Sequence, residues 1–211
     1  IDKIEKDVFD KWILSEFNKT VVNVTNHLSN ARFNDAATGM QSYFWHAYCD
    51  WYVELSKSKI FGADEEKKND ALSILIYQLR EFLKLLHPIM PFITEEIYQK
   101  LPDSGKSIMI ESYPEAHPKW KDKEAENKVK KFFDLLYLIR NIRGEMNVSP
   151  EKKVDVLIKT NDKDLYEFIT AHQKDILYLS KAQSVKIGDS LVKPAGAAAG
   201  ANEICEVYIP L

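Results

Sequence analysis

The chain has 211 residues, 45 % of them hydrophobic, which is enough for one large domain or for one medium domain with a small appendage. Its formal net charge is −3, so an overall basic field for indiscriminate nucleic-acid binding is excluded, and any such binding needs a local patch. Charges interrupt every apolar run, and neither a membrane span nor a signal peptide is visible, so we expect a cytoplasmic protein with no membrane partner.

Helical periodicity dominates the first two thirds of the chain. An apolar stripe predicts a helix over roughly residues 8–30, and its members are Ile13, Phe17, Val21, Val24 and Leu28. Four more helices are predicted, over roughly residues 35–58, 72–87, 91–100 and 121–146. The third helix should end at His87 before Pro88, and Pro91 is well suited to open the helix that follows. The segment between the last two is expected to be loop, with a short extended stretch at SIMIE. Helices joined by mostly short connections predict an antiparallel bundle over residues 1–149.

The hydrophobic period changes after residue 150. Val154, Val156 and Ile158 alternate with other residues as in a strand, and Asp162 can cap a following helix. SVKI and EICEVYI are typical of strands, whereas PAGAAAGAN is interpreted as a low-complexity linker. The predicted fold is therefore mainly α, an antiparallel helical bundle followed by a small α+β (β-α-β-β) subdomain over residues 150–211.

The stretch YFWHAYCDWYVE, residues 43–54, combines many aromatic rings with a cysteine, a histidine and an aspartate. On a helical wheel most aromatic residues share one face, while His46 and Asp50 lie on the opposite side. Cys49 therefore lacks the contacting base and the oxyanion site that a catalytic cysteine needs. We expect a buried aromatic face, free thiols at Cys49 and Cys205, and no catalytic residue.

Two further kinds of site are not expected in this segment. The histidines are scattered without metal-ligand spacing, so no metal site is predicted. SGKS at residues 104–107 resembles the end of a phosphate-binding loop, but Leu101 stands where that loop needs glycine. We interpret SGKS as a polar turn.

The strongest candidates for contact with a polyanion are polar residues at and after the end of the last predicted helix: Arg140, Arg143, Asn147, Lys152 and Lys153. The first three share one helix face, at spacings of three and four residues. The alternative is structural, because positive charge at a helix C-terminus complements the macrodipole and can form a salt bridge, for example with Glu145. A second candidate group, Lys57, Lys59 and Phe61, ends the aromatic helix.

Five strings resemble, in order, the valyl-tRNA synthetase family of class I synthetases: DKWILSEFN (10–18), RFNDAA (32–37), YFWHAYCDWYVELSK (43–57), LLHPIMPFITEEIYQKL (85–101) and IRNIRGEMNVSPEKKV (139–154). The resemblance covers nearly the whole chain and concerns the anticodon-binding helical domain with the small α/β subdomain after it. The adenylate-forming motifs HIGH and KMSKS do not occur, and the chain begins with Ile. We therefore expect a piece of a longer protein.

This resemblance implies that the intact protein attaches valine to tRNA(Val) with ATP and Mg and edits mischarged threonine. The segment itself would bind the anticodon stem and loop, without a catalytic centre or cofactor, and its partners would be tRNA(Val) and its own catalytic domain, not DNA. In the family arrangement Lys57 and Lys59 would contact stem phosphates and Phe61 would stack on a loop base. The patch after Arg140 would make a second backbone contact.

Two alternatives remain open. The chain could be a helical docking module without direct RNA contact, which its acidic balance favours. It could also be a free-standing enzyme built on Cys49, although the other groups of such a site are missing.

Overall fold

The computed structural model describes residues 1–149 and 151–210, and the chain divides between Glu126 and Asn127 into two compact units. The first unit is helical, and the second contains a four-stranded sheet with helices. The predicted fold class, a helical bundle followed by a small α+β subdomain, is thus confirmed. Within the described ranges no helix is long and apolar enough to cross a membrane.

The first unit consists of helices close to the predicted ones: α1 (Val8–Ser29), α2 (Phe33–Ser42), α3 (Glu54–Ile60), α4 (Glu65–Leu86) and α5 (Pro91–Tyr98). A π-helical segment, Tyr43–Val53, joins α2 to α3 without a break. Short 3-10 turns follow at Ile108–Ile110 and Pro118–Trp120. The long helix α6 (Lys123–Glu145) then crosses the division between the units.

Local chemistry explains where α1 begins and which face it buries. The Asp7 side chain accepts hydrogen bonds from the backbone N–H groups of Phe9 and Asp10, and the Asp10 side chain accepts one from the backbone of Asp7. This reciprocal capping satisfies amide groups that a helix N-terminus otherwise leaves unpaired. Ile13 and Val24 on the predicted stripe are fully buried, so α1 contributes one wall of the core.

The helix that contains the aromatic stretch, residues 43–54, is not the regular α-helix that the sequence predicts. The hydroxyl of Tyr43 donates to Gln78 at 2.8 Å, and that of Tyr48 donates to the Leu75 carbonyl at 3.0 Å. In an α-helix, residues five apart point about 140° away from each other, so both tyrosines could not face α4. The wider π-helical turn, with its i→i+5 hydrogen bonds, aligns them. Tyr43 and Tyr48 are therefore both buried, on the buried aromatic face that the sequence predicts.

Two prolines position α5. His87 ends α4 next to Pro88, and Pro91 occupies the first turn of α5, as predicted. The SIMIE stretch was predicted to be extended, and this is wrong. Its residues Ile108–Ile110 form a 3-10 turn, because the Ser107 hydroxyl accepts a hydrogen bond from the Met109 N–H and starts the turn.

The second unit contains a mixed sheet. Its strands and helices are β1 (Val154–Lys159), α7 (Lys163–Ala171), α8 (Gln173–Ser180), β2 (Ala182–Gly188), β3 (Ala197–Ala201) and β4 (Glu206–Pro210). The strand order is β2-β1-β4-β3, with β1 parallel to β2 and β4 antiparallel to both its neighbours. The parallel pair needs a crossover connection, which α7 and α8 provide.

The linker expected at PAGAAAGAN is wrong, because this segment contains the edge strand β3 (Ala197–Ala201). It pairs with β4 along its full length, from Ala197 opposite Pro210 to Ala201 opposite Glu206. Small residues are needed here because a Cβ atom at Gly200 would lie 2.8 Å from Leu138 Cδ1 of α6. The composition that indicates a linker therefore reflects a strand lying close to a helix.

The boundary between the two compact units, at Glu126 and Asn127, differs from the domain boundary expected at residue 150. Secondary structure does change from helix to strand between Glu145 and Val154, but the compact units meet earlier, within α6. The physical reason is that the later part of α6 contacts β3 through Leu138 and Ile142. This part of α6 therefore belongs to the same compact unit as the sheet.

Candidate nucleic-acid interface

The end of α3 presents Phe61 to solvent. Phe61 follows the last residue of α3, and its side chain is 83 % exposed. Its backbone N–H donates to the Lys57 carbonyl at 2.9 Å, which fixes the turn that leads to α4. An exposed aromatic ring on an ordered turn can stack on an unpaired base.

Lys57 lies one helical turn before Phe61 and is half-exposed. Its ammonium group lies 2.5 Å from Glu54 Oε1 on the same helix. Such pairs between partly exposed side chains contribute little to stability, so a phosphate can compete for the lysine at small cost. The structure thus places Lys57 and Phe61 on consecutive turns at one end of the first unit.

Lys59 has a different environment from the one expected. Its ammonium group lies 2.8 Å from Asp7 Oδ2 and 2.9 Å from Asp10 Oδ2, and the Tyr52 hydroxyl donates to Asp10 Oδ1 at 2.7 Å. Asp10 is only 2 % exposed. Lys59 therefore connects the end of α3 to the first turn of α1. The expected phosphate contact would require Lys59 to leave two carboxylates, so the geometry assigns it a structural role.

Electrostatics agree with this role. Burial disfavours the charge on Asp7, but attraction by the Lys59 ammonium group and hydrogen bonds outweigh burial and lower the pKa of Asp7. Burial, together with the negative charge of Asp7, raises the pKa of Asp10. Burial alone would lower the pKa of Lys59, yet the two carboxylates raise it. The lysine is thus held in its charged form by groups of the chain itself.

Arg143 in the second unit also has a structural environment. It is 7 % exposed, and its guanidinium group donates to four backbone carbonyls, those of Ser149, Lys152, Ser180 and Lys181, at 2.8–3.3 Å. A structural role therefore describes this arginine better than RNA contact does. Its partners are carbonyls at the end of α8 and in the segment after α6, and not Glu145 as suggested by the sequence. Its buried position is not compatible with the expected RNA contact.

The other members of this patch are exposed. Arg140 donates one 3.3 Å hydrogen bond to the Leu179 carbonyl, and its side chain reaches solvent. Asn147 follows α6 in the left-handed backbone region, with φ of 50°, and is exposed. Lys152 and Lys153 are exposed as well. Because Arg143 binds the carbonyl of Lys152, it orders the segment on which these two lysines lie.

The first unit also contains a group of neighbouring lysines that was not predicted from the sequence. Three segments form a pocket of about 380 Å³, and its lining includes Lys6, Lys11, Lys119 and Trp120. Asp2 also lines this pocket, and its carboxylate lies 2.7 Å from the Lys119 ammonium group. Lys119 lies more than a hundred residues away from Lys6 and Lys11 in the chain, so no local motif could indicate the whole group.

The cysteines have no features of a nucleophile. Burial, followed by the nearby charge of Asp50, raises the pKa of Cys49, and burial raises the pKa of Cys205 to about 11. Both thiols are free, as predicted. His46 and Asp50 approach each other at 3.2 Å on the exposed face. A raised pKa disfavours the thiolate, which is the reactive form. Among residues 1–149 and 151–210, no three potential metal ligands come together.

Comparisons with protein families and with curated proteins both match the chain to tRNA ligases. Residues 10–158, more than half of the chain, match the family described as "Anticodon-binding domain of tRNA ligase". The chain is 39 % identical to a valine–tRNA ligase of Latilactobacillus sakei over 97 % of its own length and 23 % of that protein. It is 36 % identical to the valine–tRNA ligase of Enterococcus faecalis, covering 98 % of this chain and 24 % of that protein.

The chain therefore spans about a quarter of the length of these curated relatives. The family match begins within α1, includes α2–α6 and ends within β1, so it covers both the turn at Phe61 and the exposed residues from Arg140 to Lys153. The chain belongs to the family of anticodon-binding domains of tRNA ligases.

Proposed function

We propose that the chain binds the anticodon stem and loop of tRNA(Val). The whole protein, in the cytoplasm, would attach valine to this tRNA with ATP and Mg and would edit mischarged threonine. Support comes from the family match and from relatives named valine–tRNA ligase, of which this chain spans about a quarter. This segment would supply tRNA binding to the ligase's own catalytic domain.

The observation that carries the proposal is the exposed ring of Phe61 beside Lys57. A single-stranded loop offers bases that can be unstacked and placed on an aromatic side chain, while a nearby cation contacts the backbone. Phe61 is 83 % exposed on a turn fixed at both ends, by α3 before it and by the Asp64 cap of α4 after it. Lys59 supports this site by holding the end of α3 to α1.

The second unit would supply phosphate contacts. Arg140, Asn147, Lys152 and Lys153 are exposed near the end of α6 and after it. Contacts of this type position an RNA and add affinity, but they do not distinguish one sequence from another. Arg143 takes part only indirectly, by ordering the segment that includes Lys152.

A docking module without RNA contact is the second candidate function. The net charge of −3 and the use of Lys59 and Arg143 in internal contacts both favour it. In that case the exposed ring of Phe61 would not contact RNA, so the two candidates make opposite predictions for the effect of Phe61 on RNA affinity.

The decisive experiment measures binding of a fluorescently labelled tRNA(Val) anticodon stem–loop to the chain and to the variant Phe61→Ala. Loss of one base–aromatic stack should weaken binding by about 1–3 kcal/mol, roughly fivefold to more than a hundredfold in Kd. Phe92→Ala is the matched control, because Phe92 is also highly exposed, at 90 %, but lies beyond the other end of α4.

Equal affinities of the two variants would remove Phe61 from the interface. Absence of binding by the unaltered chain at low salt would favour the docking module. A stem–loop with an unrelated anticodon, measured in parallel, tests whether the chain distinguishes tRNA(Val) from other tRNAs.

A further inference from the structure

A cluster of apolar side chains is exposed at the turn from α4 into α5 and on the neighbouring 3-10 turn. We call this surface the α4–α5 patch, and its members are Ile89, Met90, Phe92, Ile93, Met109 and Ile110. Phe92 is 90 % exposed, and Met109 and Ile110 are 71 % and 72 % exposed. Single exposed apolar residues are ordinary, whereas a contiguous group of this kind marks an interaction surface.

The two segments of the patch are held together by hydrogen bonds. His87 Nε2 lies 2.9 Å from Met109 Sδ, and His87 Nδ1 lies 2.7 Å from the hydroxyl of buried Thr94. The Glu95 carboxylate accepts hydrogen bonds from the Ser107 hydroxyl at 2.9 Å and from the Ile108 N–H at 3.1 Å. The apolar side chains therefore project from an ordered platform.

A buried cluster supports this platform from below. Leu83, Tyr98 and Ile108 pack together and are at most 4 % exposed. Ile108 belongs to the same 3-10 turn as Met109 and Ile110, so one side chain of that turn enters the core while the other two face outwards. The exposure of the patch is thus a property of the folded unit.

Charge around the patch disfavours RNA as its partner. Residues 87–111 contain four acidic residues and two lysines, and one of these, Lys100, lies 2.6 Å from Glu96. Phosphate groups would be repelled by this balance, since affinity for RNA depends on neutralising them with cations. An apolar protein surface therefore fits the patch better than RNA does.

The position of the patch is compatible with simultaneous tRNA binding. Helix α4 has 22 residues, which corresponds to a length of about 33 Å. Phe61 precedes its first turn and the patch follows its last turn. An occupant of the patch and an RNA at Phe61 would therefore lie at opposite ends of the helix.

We propose that the α4–α5 patch is the surface by which this unit docks on an apolar face of the remaining polypeptide of a full-length ligase. About three quarters of each curated relative lies outside the stretch that matches this chain, so a large protein surface is present in such a molecule. The inference rests on the proposed function only in taking the chain as part of a longer ligase, and it makes no use of the RNA site.

Hydroxyl-radical labelling with mass spectrometry tests the proposal on this chain and on the full-length protein, both without tRNA. Phe92 should be oxidised at least tenfold more slowly in the full-length protein than in this chain. Phe61 is the internal control, because it is a similarly exposed phenylalanine that should react equally in both. Equal oxidation of Phe92 in the two proteins would overturn the proposal.

A second measurement tests whether the α4–α5 patch binds a second copy of this chain and not the rest of a ligase. Sedimentation of the chain over a range of concentrations should show a monomer, unchanged by Phe92→Asp or by the control Val192→Asp, at another exposed apolar residue. A dimer that only Phe92→Asp dissociates would assign the patch to self-association and would also overturn the proposal. Stem–loop binding should be insensitive to Phe92→Asp, so failure of the docking proposal and failure of the RNA proposal are separable.

Discussion

Arg140 and Arg143 lie on consecutive turns of α6 and look equivalent in the sequence, yet their surroundings differ. Arg143 is buried and donates to four backbone carbonyls, whereas Arg140 is exposed and its hydrogen bond to the Leu179 carbonyl is long, at 3.3 Å. Removing a charged donor from buried carbonyls costs more free energy than removing it from exposed carbonyls, because exposed carbonyls can form hydrogen bonds with water instead. The two arginines should therefore differ in how much their side chains contribute to the stability of the fold.

The variant Arg143→Ala should lower the free energy of unfolding by about 2–4 kcal/mol, because it leaves backbone carbonyls without their donor. Arg140→Ala should lower it by roughly 1 kcal/mol or less. Urea unfolding followed by circular dichroism measures both. A similar loss for the two variants would contradict the structural assignment of Arg143.

At the scale of elements, β3 shows how packing selects small residues. The strand contains only alanine and glycine, and its Gly200 faces Leu138 and Ile142 of α6. A Cβ at this position would lie 3.0 Å or less from atoms of both side chains. Larger side chains would therefore have to displace α6 or bend the edge strand.

Gly200→Val should destabilise the second unit by about 1–3 kcal/mol through overpacking. Ala199→Val is the matched control, since Ala199 is the neighbouring residue of β3 and is exposed. Its effect should lie within about 0.5 kcal/mol of zero, as for most surface substitutions. Thermal unfolding of both variants checks this, and a neutral Gly200→Val would show that α6 does not restrict β3.

Much of the helical architecture was predictable from the sequence, since apolar spacing, capping residues and prolines are local signals. The stripe on α1 and the Pro91 start of α5 are examples. The π-helical segment and β3 were not predictable, because both depend on partners far away in the chain, Gln78 for Tyr43 and Leu138 for Gly200. Local composition contains no record of such contacts.

The same distinction applies to the candidate site. The exposure of Phe61 beside Lys57 is compatible with the predicted RNA contact, which stays a prediction. The internal roles of Lys59 and Arg143 could not be read from charge spacing, because an arginine or lysine pattern looks the same whether its partner is a phosphate, a carboxylate or a carbonyl. Only the fold brings Asp7 and Asp10 to Lys59, across about fifty residues of chain.

For the whole molecule, the net charge of −3 means that RNA binding must depend on a few cations. The double variant Lys152→Gln/Lys153→Gln should therefore make the dependence of log K on log salt shallower by about 1.4, since each lost phosphate contact contributes about 0.7 for single-stranded RNA. Lys174→Gln, at an exposed lysine of α8, should leave the slope unchanged. A slope unaffected by the double variant would exclude both lysines from phosphate contact.

The Lys59 ion cluster has a mechanical consequence for the turn at Phe61. Because Lys59 is held by Asp7 and Asp10, the last turn of α3 must follow any movement of the first turn of α1. Phe61 lies only two residues further on, so a small displacement at the start of α1 tilts the aromatic ring. Tension applied to the start of α1 would thus change the orientation of the Phe61 ring.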